Sequence, residues 1–486
     1  MKSICIHIQQ NSYYIRYKKN EEIFMKTCIK ILCMLLISVL VLTACGGELA
    51  ETIPEYNFEE GVSDTDLDGF KLVWGWGGTE GSSVFGFIPD TQLADMVLER
   101  RREVEQKLNC KIEHAQSSNM MDNFRSGILA GFQDYDIVSG GGALRNYARA
   151  GNLMGLSSLL DVKNTDKWGT PNMLLPMLWN DDLFGVVPFA WPDLVYRLSG
   201  HILAVNENLV VRLAQTDPRE FVENGQWTWD KFEEVIQAYT FTEGERTVYG
   251  VRVHLPYYAI DCLLSNGVAV STYQNGEVVA GVYTEAGREA MERCQKMYYE
   301  TSHDYFHPYT DSVGDDEFVN GECVMYLTWM NELTGSTRWI MYNMDNVGVL
   351  PFPQGPKATP GKYLSYNEGL LLCFGIPVNA RDPIASALIL SEMCEPFEAY
   401  KTKDDIIDYM ASQIFFDRRD AEIVVNEVTN TEYGFFDEGA RGVLEGIGNT
   451  QTPVSTVLES NLSKYETIVE EYMMPCYRAM DAVYGD

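Results

Sequence analysis

The sequence predicts an α/β protein of two or three compact units, and three observations carry that expectation. Its 486 residues exceed what one ordinary core organises. Apolar residues make up 46% and aromatics 12%, a globular rather than a disordered composition. Short apolar runs of strand length alternate with helical periods along much of the chain, the order that builds layered strands and helices.

The first segment reads as an export signal. Lys26 and Lys30 precede an apolar run, Ile31 to Leu42, closed by Leu42-Thr43-Ala44-Cys45. A basic start, a short apolar core and small residues before a cleavage point describe a secretory leader, and the run is too short for a membrane span. Met25 is the more natural start, with residues 1–24 an upstream extension. Gly46 to Thr65 is acidic, lacks any basic residue and carries Gly, Ser and Pro, which reads as a tether. Asp64, Asp66, Asp68 and Gly69 imitate a calcium loop, but Gly75 stands where its bidentate glutamate belongs. A turn before a strand is the reading.

Phe70 to Trp76 alternates and is rich in large side chains, a first strand that ends among Gly75, Gly77 and Gly78. Pro89 to Leu108 has a helical period, with Leu93, Val97, Val104 and Leu108 on one side. Lys111 to Ala115 predicts a second strand, Asp122 to Ala130 a second helix and Asp134 to Val138 a third strand. That strand enters Ser139-Gly140-Gly141-Gly142, where backbone could approach a ligand closely, but no Gly-Lys-Ser follows and a P-loop is excluded. Thr228 or Asp230 caps a helix in WTWDKFEEVI. From Glu317 to Pro356 the chain reads as helix end, buried strand, loop, helix, second strand and a stiff proline turn. Gly321 suits the left-handed stop, Cys323 to Leu327 the first strand, and Val347 to Leu350 the second. Pro351, Pro353 and Pro356 fix the exit. Val454 to Val483 is amphipathic and helical, and no internal repeat occurs.

Charge and cysteine usage remove whole classes of function. The net charge is −33, from 37 basic and 70 acidic residues, so nucleic-acid phosphates and anionic lipid heads are repelled. Of 11 cysteines, Cys110, Cys262, Cys294, Cys323, Cys373, Cys394 and Cys476 lie beyond the leader; they are odd in number, scattered and without a C-x-x-C. Buried free thiols are expected, rather than a disulfide framework or a zinc set. No G-x-S-x-G and no H-E-x-x-H occurs, and no cofactor motif is found. His303 and His307, four apart, could pair on a metal, but Pro308 follows at once and a surface or capping role is expected. Asp315, Asp316 and Glu317 read as acids at a helix start, stabilised by its dipole. Nothing singles out a carboxylate pair for glycoside hydrolysis.

Several segments together resemble the family 1 extracellular solute-binding proteins of ABC importers. EFVNGECVMYLTW followed by VGVLPFP is similar to that family's recurring F-x-x-G-x-x-x-M, tryptophan and V-x-x-x-P-x-P segment. DYDIVSGGGALRNYARAGNLMGLSSLLD, LFGVVPFAWP, LAVNENLV, WTWDKFEEVI, YGVRVHLPYY and LLCFGIPVNARDPIASALILSEM continue the likeness, roughly from Phe70 to Met393. The resemblance implies the type II periplasmic-binding architecture: two α/β lobes with three interlobe crossings, near Ala190 to Ser199, near Leu364 to Leu370 and after Met393. The boundaries it suggests are 1–44 leader, 45–65 tether, 66–194 lobe 1, 195–366 lobe 2, 367–403 return to lobe 1, and 404–486 a helical part belonging to lobe 2. Leu-Thr-Ala-Cys also looks like a bacterial lipobox, with Cys45 as the lipidated residue.

The function so implied is capture of an extracellular carbohydrate, an oligosaccharide, by a monomer anchored through lipid outside the cytoplasmic membrane, and its delivery to an ABC permease. No catalysis, cofactor, metal or nucleic acid is expected. With 9 Trp and 28 Tyr the chain is well supplied with flat faces for sugar rings. Trp329 and Tyr257 occupy the places of family ligand aromatics. Trp74 and Trp76 follow the first strand, Trp191 and Tyr196 flank the first crossing, Ser139 opens the glycine run, and Glu368 stands with Tyr366 and Asn367 at the second crossing. The glycine run replaces the tryptophan, acid and arginine of maltodextrin binders, and Leu255 replaces their acid before Pro-Tyr. Maltodextrin specificity is therefore not expected. A secreted glycan-acting enzyme and a surface glycan-adhesion or sensing lipoprotein stand as alternatives.

Overall fold

The computed structural model describes residues 65–78, 84–141, 144–191, 200–309, 314–334, 339–367, 372–428, 431–433, 440–448 and 450–485. Cys45, Tyr196 and Glu368, like the leader, the tether and Gly142, lie outside the described residues. Among those described, no helix is long and apolar enough to cross a membrane.

Lobe 1 is built on a mixed sheet. β1 (Phe70–Gly77) runs parallel to both β2 (Cys110–Ser117) and β3 (Ile137–Gly140). The predicted turn precedes it: the Asp68 N–H donates to Asp66 Oδ1 at 2.8 Å, and Asn109 Nδ2 donates to the same oxygen. The Gln92–Lys107 helix connects β1 to β2, capped by Thr91, and buries Leu93, Val97, Val104 and Leu108 as its spacing predicts. β3 begins at Ile137, later than the pattern suggested, because Asp136 is used differently. Its fully buried carboxylate accepts the Val73 N–H of β1 at 2.8 Å and the Arg381 Nε–H at 3.0 Å, while its own N–H donates to the Val73 carbonyl at 2.9 Å. A hairpin, β4 (Leu178–Trp179) with β5 (Asp182–Leu183), sits beside this lobe.

Lobe 2 follows residue 200. Its strands are β6 (His201–Asn206), β7 (Phe241–Glu243), β8 (Arg246–His254), β11 (Phe306–Tyr309), β12 (Cys323–Trp329) and β13 (Val347–Leu350). A separate hairpin pairs β9 (Ser271–Gln274) with β10 (Glu277–Ala280). The main sheet runs β11-β8-β12-β6-β13, with β7 on β8. β12 lies parallel to β8 and antiparallel to β6, buried along six of its seven positions. A strand covered on both faces reads as a continuous apolar run, which is why Cys323 to Leu327 was legible. Gly321, at φ +69°, ends the preceding helix.

β14 (Ser365–Asn367) then leaves lobe 2 and pairs in parallel with β16 (Thr431–Tyr433), while β15 (Cys373–Gly375) returns to the lobe 1 sheet antiparallel to β3. Gly200 permits that passage, since a side chain there would collide with Ser365 Oγ. The Pro383–Met393 helix covers lobe 1, where Arg100 and Lys107 of the Gln92–Lys107 helix bind its carboxyl end. The C-terminal helices turn to lobe 2. Arg418–Ile423 docks on β13, and Ala440–Gly448 and Val454–Ile468 pack on the Glu285–Glu300 helix. The last helix, Met474–Tyr484, touches elements of both lobes: β4 and β5 on one side, and Tyr273 of β9 through a stack by Tyr477 on the other. Cys110, Cys262, Cys294, Cys323, Cys373, Cys394 and Cys476 are all buried and form no disulfide.

Candidate ligand site

Three chain segments meet at one end of the lobe 2 sheet. β8 ends at His254 and β12 at Trp329, while β6, running the other way, starts there with His201. The crevice beyond strand ends is where open α/β sheets take ligands. The chain continues from β8 directly into the Leu255–Ser265 helix, with Pro256 in its first turn, which sets Tyr257 above the strand ends.

The two aromatics favoured by sequence come together there. Trp329 and Tyr257 have ring centroids 5.2 Å apart at 42°, and both are half-buried. Tyr257 also lies 4.6 Å from His201 and 4.2 Å from His254. Trp329 and His201 are register partners across β12 and β6, their rings parallel within 10° at 6.3 Å. Tyr366 of β14 closes the group, 6.0 Å from His201. His201 Nδ1 is 2.9 Å from Asp261 Oδ2, and burial pushes that carboxyl up while His201 opposes the shift. Three buried polar atoms here lack a partner among the described residues: Trp329 Nε1, His201 Nε2 and Asp261 Oδ1. An unpaired buried polar group is costly, and a ligand, water or ion that supplies the missing bond relieves the cost. No group of metal-ligating side chains occurs among the described residues.

Four other candidates belong to the lobe 1 core. Trp74 and Trp191 are fully buried, Trp76 is 6% exposed and Ser139 is 3% exposed. Trp74 Nε1 donates to Ser139 Oγ at 2.8 Å, and Trp191 Nε1 to the Met393 carbonyl at 3.1 Å. Their rings pack edge-on against Phe85 and Phe374, centroids 4.9 to 6.3 Å apart. The reason is the face they share: Trp74 and Trp76, two apart on β1, lie on the same side of the sheet, where Phe85 and the Phe374 side chain of β15 pack on them. Ser139 satisfies an indole rather than a ligand. Sequence reasoning in turn missed His201, His254 and Asp261. One signal was present, since Asp261 lies four residues from Tyr257 on a helix and so shares its face.

Beside the site, two of the three acids at 315–317, Asp315 and Glu317, have specific partners. Glu317 pairs with the buried Arg252, which also meets His307 Nδ1 at 2.8 Å. His307 is in strand β11 and His303 in a turn at φ +73°, so the two share no helix face. Asp315 is hydrogen-bonded to Glu332, three residues beyond Trp329; burial pushes Glu332 up to about 7, with Asp315 adding to the shift, and also raises Asp315. Carboxyls in direct contact cannot flank a glycosidic bond, which needs roughly 5 Å or more between them. They share a proton instead. Between Glu332's ordinary 4.5 and about 7 the folded chain keeps a proton that the unfolded chain has released. Stability contributed there is lost as pH rises through that window. Melting curves at about pH 5 and about pH 8 should show a fall for the native chain that shrinks in Glu332→Gln. Parallel curves would remove the shared proton.

A cleft of about 440 Å³ lies elsewhere on lobe 2, lined by the start of the Trp229–Tyr239 helix, by Glu289 and Arg293, and by Gln354 to Pro356. Its guanidinium is engaged, Nη1 with Glu233 at 2.6 Å and Nη2 with the Trp229 carbonyl at 3.1 Å. Trp229 is 7% exposed, so this cleft offers no open aromatic wall. The Trp329 cluster is the better candidate.

No family model and no curated sequence matches the chain. Solved structures do. An ABC substrate-binding protein, Lmo0181 from Listeria monocytogenes, in complex with cycloalternan, superposes with a TM-score of 0.55 at 13% identity, over 83% of this chain and 100% of its own. A cyclo/maltodextrin-binding protein complexed with maltotetraose gives 0.55 at 14%, over 82% and 97%. UgpB from Mycobacterium tuberculosis, in complex with glycerophosphocholine, gives 0.55 at 14%, over 83% and 98%. At these identities the likeness is one of architecture, and it extends over nearly the whole length of each protein. The chain has the two-lobed α/β fold of the solute-binding proteins of ABC importers.

Proposed function

We propose that this chain is a lipid-anchored extracellular solute-binding protein that captures a carbohydrate, an oligosaccharide, between its lobes and hands it to an ABC permease without changing it. The observation that carries the reading is the pairing of Trp329 with Tyr257 at the strand ends of lobe 2, beside buried polar atoms without partners among the described residues. A flat ring covers the C–H face of a sugar while neighbouring polar atoms serve its hydroxyls. Two lobes closing on a ligand add contacts that only the closed form makes, and that difference shifts the population.

A thermal-shift screen over mono- and oligosaccharides tests this. A ligand of the folded state at about 100 times its dissociation constant adds roughly 2.7 kcal/mol. A blank across neutral and acidic glycans would overturn the carbohydrate reading. A second reading has its own support, because aromatic rings beside a buried carboxylate also suit a quaternary ammonium head. Glycerophosphocholine therefore belongs in the screen, and a shift with it alone would favour this second reading. The anchor rests on Cys45 of the Leu-Thr-Ala-Cys motif. Cys45→Ser should stop incorporation of labelled fatty acid in a bacterial host; continued labelling would remove the anchor.

A further inference from the structure

His201 and Asp261 stand at the centre of the aromatic group, and packing alone does not account for them. His201 is 3% exposed and Asp261 fully buried. A dyad buried for structure alone would be expected to satisfy both ends, yet His201 Nε2 and Asp261 Oδ1 lack partners among the described residues. His201 Nδ1 and Asp261 Oδ2 are 2.9 Å apart; with Asp261 ionised and the imidazole neutral, Nδ1–H donates to the carboxylate and Nε2 is left as a lone pair. Its register partner Trp329 presents the opposite: an indole Nε1–H, donor only, also buried and unpartnered. The two rings are parallel within 10°. A donor beside an acceptor is the complement of a hydroxyl, which accepts one hydrogen bond and donates another.

We propose that His201, held in its tautomer by Asp261, is a specificity-determining residue of the site at the lobe 2 strand ends, its Nε2 accepting a hydrogen bond from a ring hydroxyl of a neutral sugar that accepts one from Trp329 Nε1. This rests on the carbohydrate reading above and narrows it. A uronic acid carboxylate offers acceptors only, so it would face the Nε2 lone pair with the Asp261 carboxylate behind. Tyr257, half-buried and in contact with both rings, borders the same group. Its place in the first turn of the Leu255–Ser265 helix leaves it at the helix margin. The remaining groups around the dyad are His254, Tyr366 and the Ser365 hydroxyl, which donates to the His201 carbonyl at 2.9 Å. None of them takes the two free atoms.

The test uses the mature chain with malto-, cello-, xylo- and mannotetraose as neutral probes and tetragalacturonate as the acidic one, by titration calorimetry. Asp261→Asn keeps a hydrogen bond to Nδ1 but no longer fixes the tautomer, and His201→Gln removes the imidazole. A site built to bond a hydroxyl loses heavily when the bond goes, so each variant should bind the best neutral tetrasaccharide at least tenfold more weakly, at nearly native melting temperature. Variants that bind it as tightly as the native chain would overturn the assignment, leaving the carbohydrate reading intact. So would a native chain that prefers tetragalacturonate. A native chain that binds no saccharide overturns the carbohydrate reading and this assignment with it. Should both variants fail to fold, the imidazole nitrogen resonances of the native chain decide, there being five histidines beyond Cys45 to assign. A His201 Nε2 signal that shifts on saturation with the neutral tetrasaccharide supports the assignment, and one that does not move contradicts it.

Discussion

Trp329→Ala is expected to weaken saccharide binding more than tenfold while the chain stays folded. The indole ends β12, half-buried, with one face turned to Tyr257 and His201 and its Nε1–H unpartnered. A flat anchor of this kind is the type that dominates recognition, with truncation costing about 2 kcal/mol or more. Every 1.4 kcal/mol is roughly a factor of ten in affinity. The cost to folding should be smaller, because the residue lies at the edge of the sheet and water can enter where the ring was. Trp329→Phe should fall between, keeping a face but losing the donor. Titration calorimetry and a melting curve separate the two outcomes. A large fall in melting temperature with affinity almost unchanged would make Trp329 a packing residue.

Asp420→Ala should give a large loss of stability. Asp420 is fully buried on the Arg418–Ile423 helix. It receives Arg219 Nη1 at 2.8 Å and the Val349 N–H of β13 at 2.8 Å. Arg219, itself 2% exposed, also holds Asp217 and Glu207. This network pins the C-terminal helices to the edge of lobe 2. Breaking a buried pair on one side costs about 3–5 kcal/mol, since the remaining charge and N–H stay buried. Asp217 and Glu207 still neutralise Arg219, so the lower end is expected. The exposed pair Arg418–Asp408 provides the contrast, where Asp408→Ala should cost under about 1 kcal/mol. Urea unfolding measures both. Equal losses at the two sites would contradict this account of how the C-terminal part is held.

Much of the frame was legible because local chemistry dictates it. Val347 to Leu350 forms the strand its apolar run announced, Thr228 caps the Trp229–Tyr239 helix through its hydroxyl, and Gly321 adopts the left-handed turn that the stop required. The site was legible in half. Trp329 and Tyr257, 72 positions apart, could be placed only through resemblance to a family, and the structure brings them together. Trp74 and Trp191 look the same in sequence, yet Phe85, Phe374 and Met393 cover them. Whether an aromatic at a strand exit is wall or core depends on what other segments lay across it, and those segments come from distant parts of the chain. His201 was hidden for the same reason. Its partners Asp261, Tyr257 and Trp329 arrive from a helix and another strand, and a lone histidine before an apolar run carries no local mark.

The central claim is capture by closure of two lobes on an unaltered ligand, and small-angle scattering tests it most directly. The chain would be measured alone and saturated with whichever saccharide raises its melting temperature most, and the saccharide recovered afterwards. The account predicts a smaller radius of gyration with ligand and chemically unchanged saccharide. An unchanged radius at full saturation, or recovered product cleaved in catalytic excess over protein, would contradict it.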